Sequence, residues 1–465
     1  MTQMKLGVVA VLVLGAVGAA TACSSTVRNN VFEDDAGTDG SAVDNNGEGG
    51  PVLIDPDSST TGNCPEGSET RITGKVYDPA GKNPLYNIQV FVPSGDLPEI
   101  KTGLPAPKPD GFCAGQTCDS QVLNPLAAAL TNTKGEFVLK GPRLFPGKDV
   151  PLVMQIGKWR RKIVIPEVKG CQENKLDAKD TRLPKNGREG DMPHIALTTG
   201  CDALECLLYG IGIDPTEFEA GNSNTGKHVH MFYGSGGSTP KTVNGSNLPP
   251  AQDLWDNVAR MSAFDVTMLA CECDEYAPGG TGTPNKPVGL PTMRNYANSG
   301  GKVFGTHYHY SWMKYNTAWS SGILDFGGSG TSASTLPINT SFPKGQALAD
   351  WLVEVGASSV PGQLTLDTGL TRESHRGAVP GSPAQEWIGK GTTARYVSFN
   401  TPVGLPVADQ CGRFVFSDIH STSTAATNFP SSCSALNKAQ LPLEFMFFDL
   451  NSCVQDETKP PEPPK

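Results

Sequence analysis

The stretch Phe264-Asp-Val-Thr-Met-Leu-Ala270 is an almost continuous apolar run. A strand with one wet face alternates apolar and polar residues, whereas a strand covered on both faces has no need to. The run is therefore read as a strand inside a sheet with layers on each side. Its neighbours agree. Lys227-His-Val-His-Met-Phe-Tyr233 reads as a strand closed by the turn Gly234-Ser-Gly-Gly237, and Lys302-Val-Phe-Gly-Thr306 as another. Between them, Ala251 to Met261 carries helical apolar spacing at Leu254, Val258 and Met261. Pro291 to Asn298 reads as a short helix with Gly300 near its cap. Gly345 to Val355 follows as a helix, Arg413 to Ser417 as a strand, and Leu441, Phe445 and Phe448 as the inner face of a last helix. Such alternation predicts an α/β domain over residues 200–453 with an open, mostly parallel sheet.

Upstream, over residues 70–199, the period changes from helical to β. Ile72-Thr-Gly-Lys-Val-Tyr77 alternates, Asp78-Pro-Ala-Gly81 supplies a turn, and Ile88-Gln-Val-Phe-Val92 alternates again before Pro93. Thr131 to Leu139 and Val150 to Ile165 continue the pattern, which predicts an N-terminal β-sandwich. Gly 53 and Pro 38 among 465 residues suit loop-rich domains of these two kinds and argue against a helical bundle. A formal net charge of −10 excludes non-specific nucleic-acid binding as the main activity, because that needs a basic footprint.

The first residues set the expected compartment. Leu6 to Ala22 is an uncharged apolar run preceded by Lys5, and it ends in Ala20-Thr21-Ala22-Cys23. Residues 1–22 are read as a secretory signal and not a membrane span. The Cys after small residues resembles a bacterial lipobox. That resemblance implies that Cys23 becomes the acylated N-terminus, with the membrane as partner through the lipid. Ser24, with no Asp there, resembles lipoproteins sorted to the outer membrane. Residues 23–69 are rich in Gly, Ser, Asn, Asp and Thr, with no apolar period, and read as a disordered tether. Some 45 such residues reach on the order of 35–40 Å. Residues 454–465, ending Lys459-Pro-Pro-Glu-Pro-Pro-Lys465, read as a disordered tail.

Twelve cysteines fit an exported chain, where disulfides persist. Setting Cys23 aside leaves an odd number, so at least one thiol is unpaired or unusually paired. Cys113-x4-Cys118 and Cys201-x4-Cys206 are spaced to close short loops, and Cys271-x-Cys273 is a third close pair. Spacing leaves the connectivity open.

Two stretches carry family resemblances. Gly74, Val76, Asp78, Gly81, Pro84, Leu85, Val90, Thr131, Gly135 and Phe137 match the pattern of the carboxypeptidase regulatory-like family, a transthyretin-like β-sandwich. The insert from Ser94 to about Asn124 departs from its compact version. Phe264 to Tyr276 with Met293 to His307 resembles the core of ThuA-like and class I glutamine-amidotransferase-like domains, which implies a flavodoxin-like sheet. Amidotransferases place a G-x-C-x-G elbow after a strand; here that strand end reads Gly305-Thr-His-Tyr-His309, without Cys. The whole chain resembles bacterial lipoproteins that pair the two modules.

Ligands of open α/β sheets bind beyond the carboxyl ends of the strands. The expected strand ends carry His228 and His230, then Cys271, Glu272 and Cys273, then His307 and His309, then Asp418 and His420. An H-x-H on a strand puts both imidazoles on one face, at a spacing that a metal can bridge. Glu272, His307, His309, Asp418 and His420 are therefore the candidate catalytic residues. His307, His309 and His420 are the candidate metal ligands, with zinc as the suited ion. The competing reading is that these histidines are hydrogen-bonded structural residues among Tyr308, Tyr310 and Trp312. Cys271 is either a thiolate nucleophile with a neighbouring His or a buried small hydrophobe or disulfide partner. Gly234-Ser-Gly-Gly237 is an anion cradle or a plain turn. Trp159-Arg-Arg-Lys162 is a basic patch or a solvated strand edge. The leading functional expectation is an envelope-anchored binding or accessory protein. The alternative is a hydrolase that uses the strand-end His/Asp/Glu cluster.

Overall fold

The computed structural model describes residues 64–106, 124–234, 240–276, 286, 288–421 and 428–462, all within the unit Pro56–Lys465. Cys23, the signal, the tether to residue 63, Cys113, Cys118 and Ser235–Gly237 lie outside the described residues.

Seven strands come first: β1 (Arg71–Lys75), β2 (Gln89–Val92), β3 (Ala127–Leu130), β4 (Glu136–Leu139), β5 (Gly147–Ile156), β6 (Trp159–Val168) and β7 (Glu173–Lys175). They form a three-stranded sheet, β4-β1-β7, and a four-stranded sheet, β3-β2-β5-β6. The run from Val150 to Ile165 folds back on itself as the β5–β6 hairpin, turning at Gly157 with φ 54°. A Cβ at Gly157 would stand 2.1 Å from the carbonyl oxygen of Asn451, so the turn needs glycine for close approach as well as for dihedral freedom.

The larger sheet has eight strands in the order β17-β18-β19-β14-β13-β8-β10-β9. Its members are β8 (Ile195–Thr199), β9 (Phe218–Ala220), β10 (Val229–Tyr233), β13 (Val266–Leu269), β14 (Lys302–Thr306), β17 (Gln385–Ile388), β18 (Tyr396–Thr401) and β19 (Gly412–Ser417). Two small antiparallel pairs are also present: β11 (Thr242–Val243) with β12 (Ser246–Asn247), and β15 (Thr335–Pro337) with β16 (Gln363–Thr365), the latter with a helix between its strands. From β9 to β19 all pairings are parallel, and β18 and β17 add an antiparallel edge. The fold is therefore multi-sheet, mixed α/β, with few helices.

Val266–Leu269 is buried throughout, as the apolar run requires. The border expected between residues 199 and 200 falls at the end of β8, which pairs with β10 and β13 in the larger sheet. The helix expected over Ala251–Met261 is two short ones, Gln252–Trp255 and Val258–Ser262. Asn257 interrupts it, because its side chain accepts from Arg260 N and starts a new helix. The last helix, Gln440–Asn451, is buried on every side instead of one. Such a helix has layers all round it.

Those layers share one core. Tyr86 stacks on Phe445, Trp159 packs against Phe447 and Phe448, and Trp351 Nε1 donates to Pro84 O at 2.6 Å. Helices Pro343–Glu354 and Gln440–Asn451 thus carry apolar contact from the small sheets to β14 and β19. Among the described residues no helix is long and apolar enough to cross a membrane.

Candidate functional site at the carboxyl edge

In chain order β8 is followed by β9 and β10 on one side of it, and then by β13 and β14 on the other. The order reverses between β8 and β13, where an open α/β sheet opens a crevice at its carboxyl edge. Gly200 makes the gap narrow: a Cβ there would stand 2.2 Å from Cys271 O and 2.6 Å from Ala270 O. Cys201 N donates to Cys271 O at 2.6 Å, and the disulfide Cys201–Cys273 joins the two strand ends covalently.

Cys271 follows β13 and is the one free cysteine among the described residues. Its backbone N–H donates to Thr306 Oγ1 at 2.9 Å, which registers it against the end of β14. Its Sγ lies 3.4 Å from His307 Nδ1. His307 opens the 3-10 turn His307–Tyr310 directly after β14, at φ 35°. A left-handed conformation is unusual for a residue with a Cβ, and such strain concentrates at functional sites. His420 follows β19, with its ring 5.2 Å from that of His307. One donor atom each from Cys271, His307 and His420 lies within 4.8 Å of the others.

The surroundings decide the protonation. Burial pushes the Cys271 thiol up to about 12. Burial, with help from His420 and Arg372, takes His307 down to about 3. His420 is also lowered by burial and by Arg372, while the Asp202 carboxylate pulls the other way. The cluster without a cation is a neutral thiol beside neutral imidazoles. Such a pair lacks the thiolate–imidazolium form on which cysteine nucleophiles depend.

The other candidates lie close by but do not join. His309 is turned away: its Nε2 donates to Ala270 O at 2.8 Å, and its Nδ1 accepts from Trp312 Nε1 at 3.0 Å. Both ring nitrogens are spent, so His309 is the structural histidine that the competing reading described, and it leaves the ligand set. Glu272 is fully buried and ion-paired with Lys286 at 2.9 Å. Asp418 accepts from Ser374 N and Oγ at 2.9 and 2.8 Å, and burial raises it to about 7. His228 and His230 are not at this edge at all. They stand at the amino end of β10 with His194, where His228 Nδ1 meets Glu217 at 2.5 Å and His230 Nδ1 meets Glu219 at 3.4 Å. Trp159 and Arg160 of the expected basic patch are buried, with Arg160 paired to Asp191 at 2.8 Å.

Sequence reasoning missed Asp202. It follows β8, is fully buried, and accepts from Ser421 N and Oγ at 2.7 and 2.6 Å, which ties the residue after His420 to the switch point. The signal that could have found it is Ile195-Ala-Leu-Thr-Thr199, a strand that lies just before the expected border at residue 200 and pairs with β10 and β13.

The cysteine pairing also departs from spacing. Cys201 and Cys206 do not bond to each other: Cys206 bonds to Cys433, Cys201 to Cys273, and Cys64 to Cys171. Cys411 and Cys453 are disulfide-bonded as well.

Fold and site together define a disulfide-bonded mixed α/β protein with a thiol and two imidazoles at the carboxyl edge of its larger sheet. No protein-family model matches the chain, and no curated protein matches it.

Proposed function

We propose that the chain is an exported, lipid-anchored binding protein of the bacterial envelope, held at the outer membrane through Cys23, whose α/β part takes its ligand at the carboxyl edge. The observation that carries the binding reading is the meeting of Cys271, His307 and His420 at the reversal of strand order. Export is supported by the oxidised state of every described cysteine but Cys271. In this reading the two small sheets are a regulatory-like β-sandwich, and the larger sheet is a flavodoxin-like domain of the ThuA or amidotransferase-like type. Their shared core with helix Gln440–Asn451 suits an accessory module fixed in place.

Acyl chains contribute about 0.8 kcal/mol per buried CH2, so anchoring is directly measurable. With an alkyne-tagged palmitate in a bacterial host, wild type should label and fractionate with membranes. Cys23→Ser should be unlabelled and soluble, with its disulfides intact. Unlabelled wild type in a reduced cytosolic pool would sink the reading.

One observation favours a hydrolase instead. His307 occupies a strained strand-to-helix turn, the kind of elbow that presents reactive groups. Hydrolysis of a simple ester or amide that disappears in His307→Ala while folding is retained would establish that alternative.

A further inference from the structure

The cluster at the carboxyl edge brings its donors from three separate strand ends: Cys271 after β13, His307 after β14 and His420 after β19. We propose that these three side chains are the protein ligands of a borderline or soft first-row cation such as zinc, bound with a fourth position open. The proposal rests on reading the carboxyl edge as the ligand site, and it names the ligand class.

One distance and an orphaned atom carry it. Zinc bonds of about 2.3 Å to sulfur and about 2.05 Å to nitrogen, at a tetrahedral angle, hold S and N about 3.6 Å apart. Cys271 Sγ and His307 Nδ1 are already 3.4 Å apart. His420, 6% exposed, has an Nε2 with no hydrogen-bond partner among the described residues. A buried nitrogen in that state costs free energy unless something else satisfies it. A cation within reach of the other two donors would do so.

Two competing donors are consumed elsewhere, and a third lies outside the set that converges. His309 uses both nitrogens on Ala270 and Trp312, and Glu272 is held by Lys286. Asp418 is not among the groups that meet within 4.8 Å; its Oδ2 accepts from Ser374, and its Oδ1 has no hydrogen-bond partner among the described residues. The disulfide Cys201–Cys273 removes the two nearest cysteines and leaves one thiol facing the imidazoles. One thiolate with two neutral imidazoles suits zinc or copper in preference to magnesium or calcium. On binding, the Cys271 S–H gives its proton to solvent and the sulfur lone pair to the cation. Arg372 supplies an opposing positive field, and Asp202 a compensating negative one near His420.

The test uses the full chain, stripped with a chelator, reloaded with zinc alone and freed of excess by dialysis. One equivalent of zinc per chain should remain, and cobalt in its place should show a thiolate charge-transfer band. Cys271→Ser and His420→Ala should each weaken binding beyond the roughly 10–100-fold that outer-sphere changes cost. Disulfide mapping and circular dichroism show that each variant is folded. His194→Asn, at the opposite edge, should bind as wild type does. Wild type that retains no zinc, or Cys271→Ser that retains it equally, overturns the metal centre and leaves the anchoring experiment to stand alone. Zinc lost only in His194→Asn places the cation at the amino edge and overturns both carboxyl-edge readings.

Discussion

The carboxyl groups of Asp78 and Glu444 lie against each other, fully buried, where the turn after β1 meets helix Gln440–Asn451. Asn83 Nδ2 donates to Glu444 Oε2 and Lys82 N to Asp78 Oδ1, each at 2.7 Å. That leaves Asp78 Oδ2 and Glu444 Oε1 with no further hydrogen-bond partner. Two carboxyls so placed share a proton instead of both ionising.

Burial raises Asp78 to about 6, and burial together with Asp78 raises Glu444 well above the usual carboxylate range. Folded values above unfolded ones mean that this stability is fully present below about pH 4 and is lost as pH rises through 6 and beyond. Glu444→Gln offers an amide N–H to Asp78 in place of the shared proton and does not itself titrate. Urea midpoints between pH 5 and pH 9 should therefore fall less for the variant, by on the order of 2 kcal/mol in stability. Parallel pH profiles would remove the shared proton from the account.

Asp449 is the anion at the centre of a buried charge network. Its oxygens meet Lys344 Nζ at 2.8 Å and Arg413 Nη1 at 2.6 Å, with Glu457 pairing to the same two cations. Asp449→Asn leaves those cations short of a partner in the interior. It should destabilise the protein by about 3–5 kcal/mol in equilibrium unfolding. A loss under 1 kcal/mol would mean that Glu457 suffices alone.

Cys271 is 1% exposed and its thiol is pushed up to about 12. Iodoacetamide at neutral pH should leave Cys271 unmodified in the native protein and modify it once unfolded, as peptide mapping would read. The same map should contain Cys64–Cys171, Cys201–Cys273 and Cys206–Cys433. A Cys201–Cys206 peptide would contradict the arrangement of the strand ends.

Gly200 leaves no space for a side chain between β8 and β13, since both nearest atoms are backbone oxygens. Gly200→Ala should therefore cost about 3 kcal/mol or more, because backbone cannot rotate away as a side chain can. Thermal unfolding of the variant is the measurement, and an unchanged midpoint would mean that the strand ends are not as closely joined as described.

Local pattern determined the elements whose surroundings are uniform. Val266–Leu269 was legible as a buried strand because a strand covered on both faces leaves no face that has to be polar.

 The ends of those strands were not legible in the same way. His307 and His309 read as one face of a strand, since strand side chains two apart share a side. The strand stops at Thr306, and His307–Tyr310 is a 3-10 turn, in which residues two apart point in different directions. His307 therefore faces Cys271 while His309 faces Ala270 and Trp312.

Composition and period by themselves determined that this chain builds β layers followed by an α/β sheet, with cysteines suited to an oxidising compartment. Tertiary structure alone decided which of its histidines meet and which of the described cysteines stays reduced. Cys206 and Cys433 are 227 residues apart, and Cys201 and Cys273 are 72 apart. Periodicity reports only what a residue's near neighbours in sequence do. The meeting of Cys271, His307 and His420 depends on the order in which β13, β14 and β19 lie side by side, and that order is set by how the layers pack.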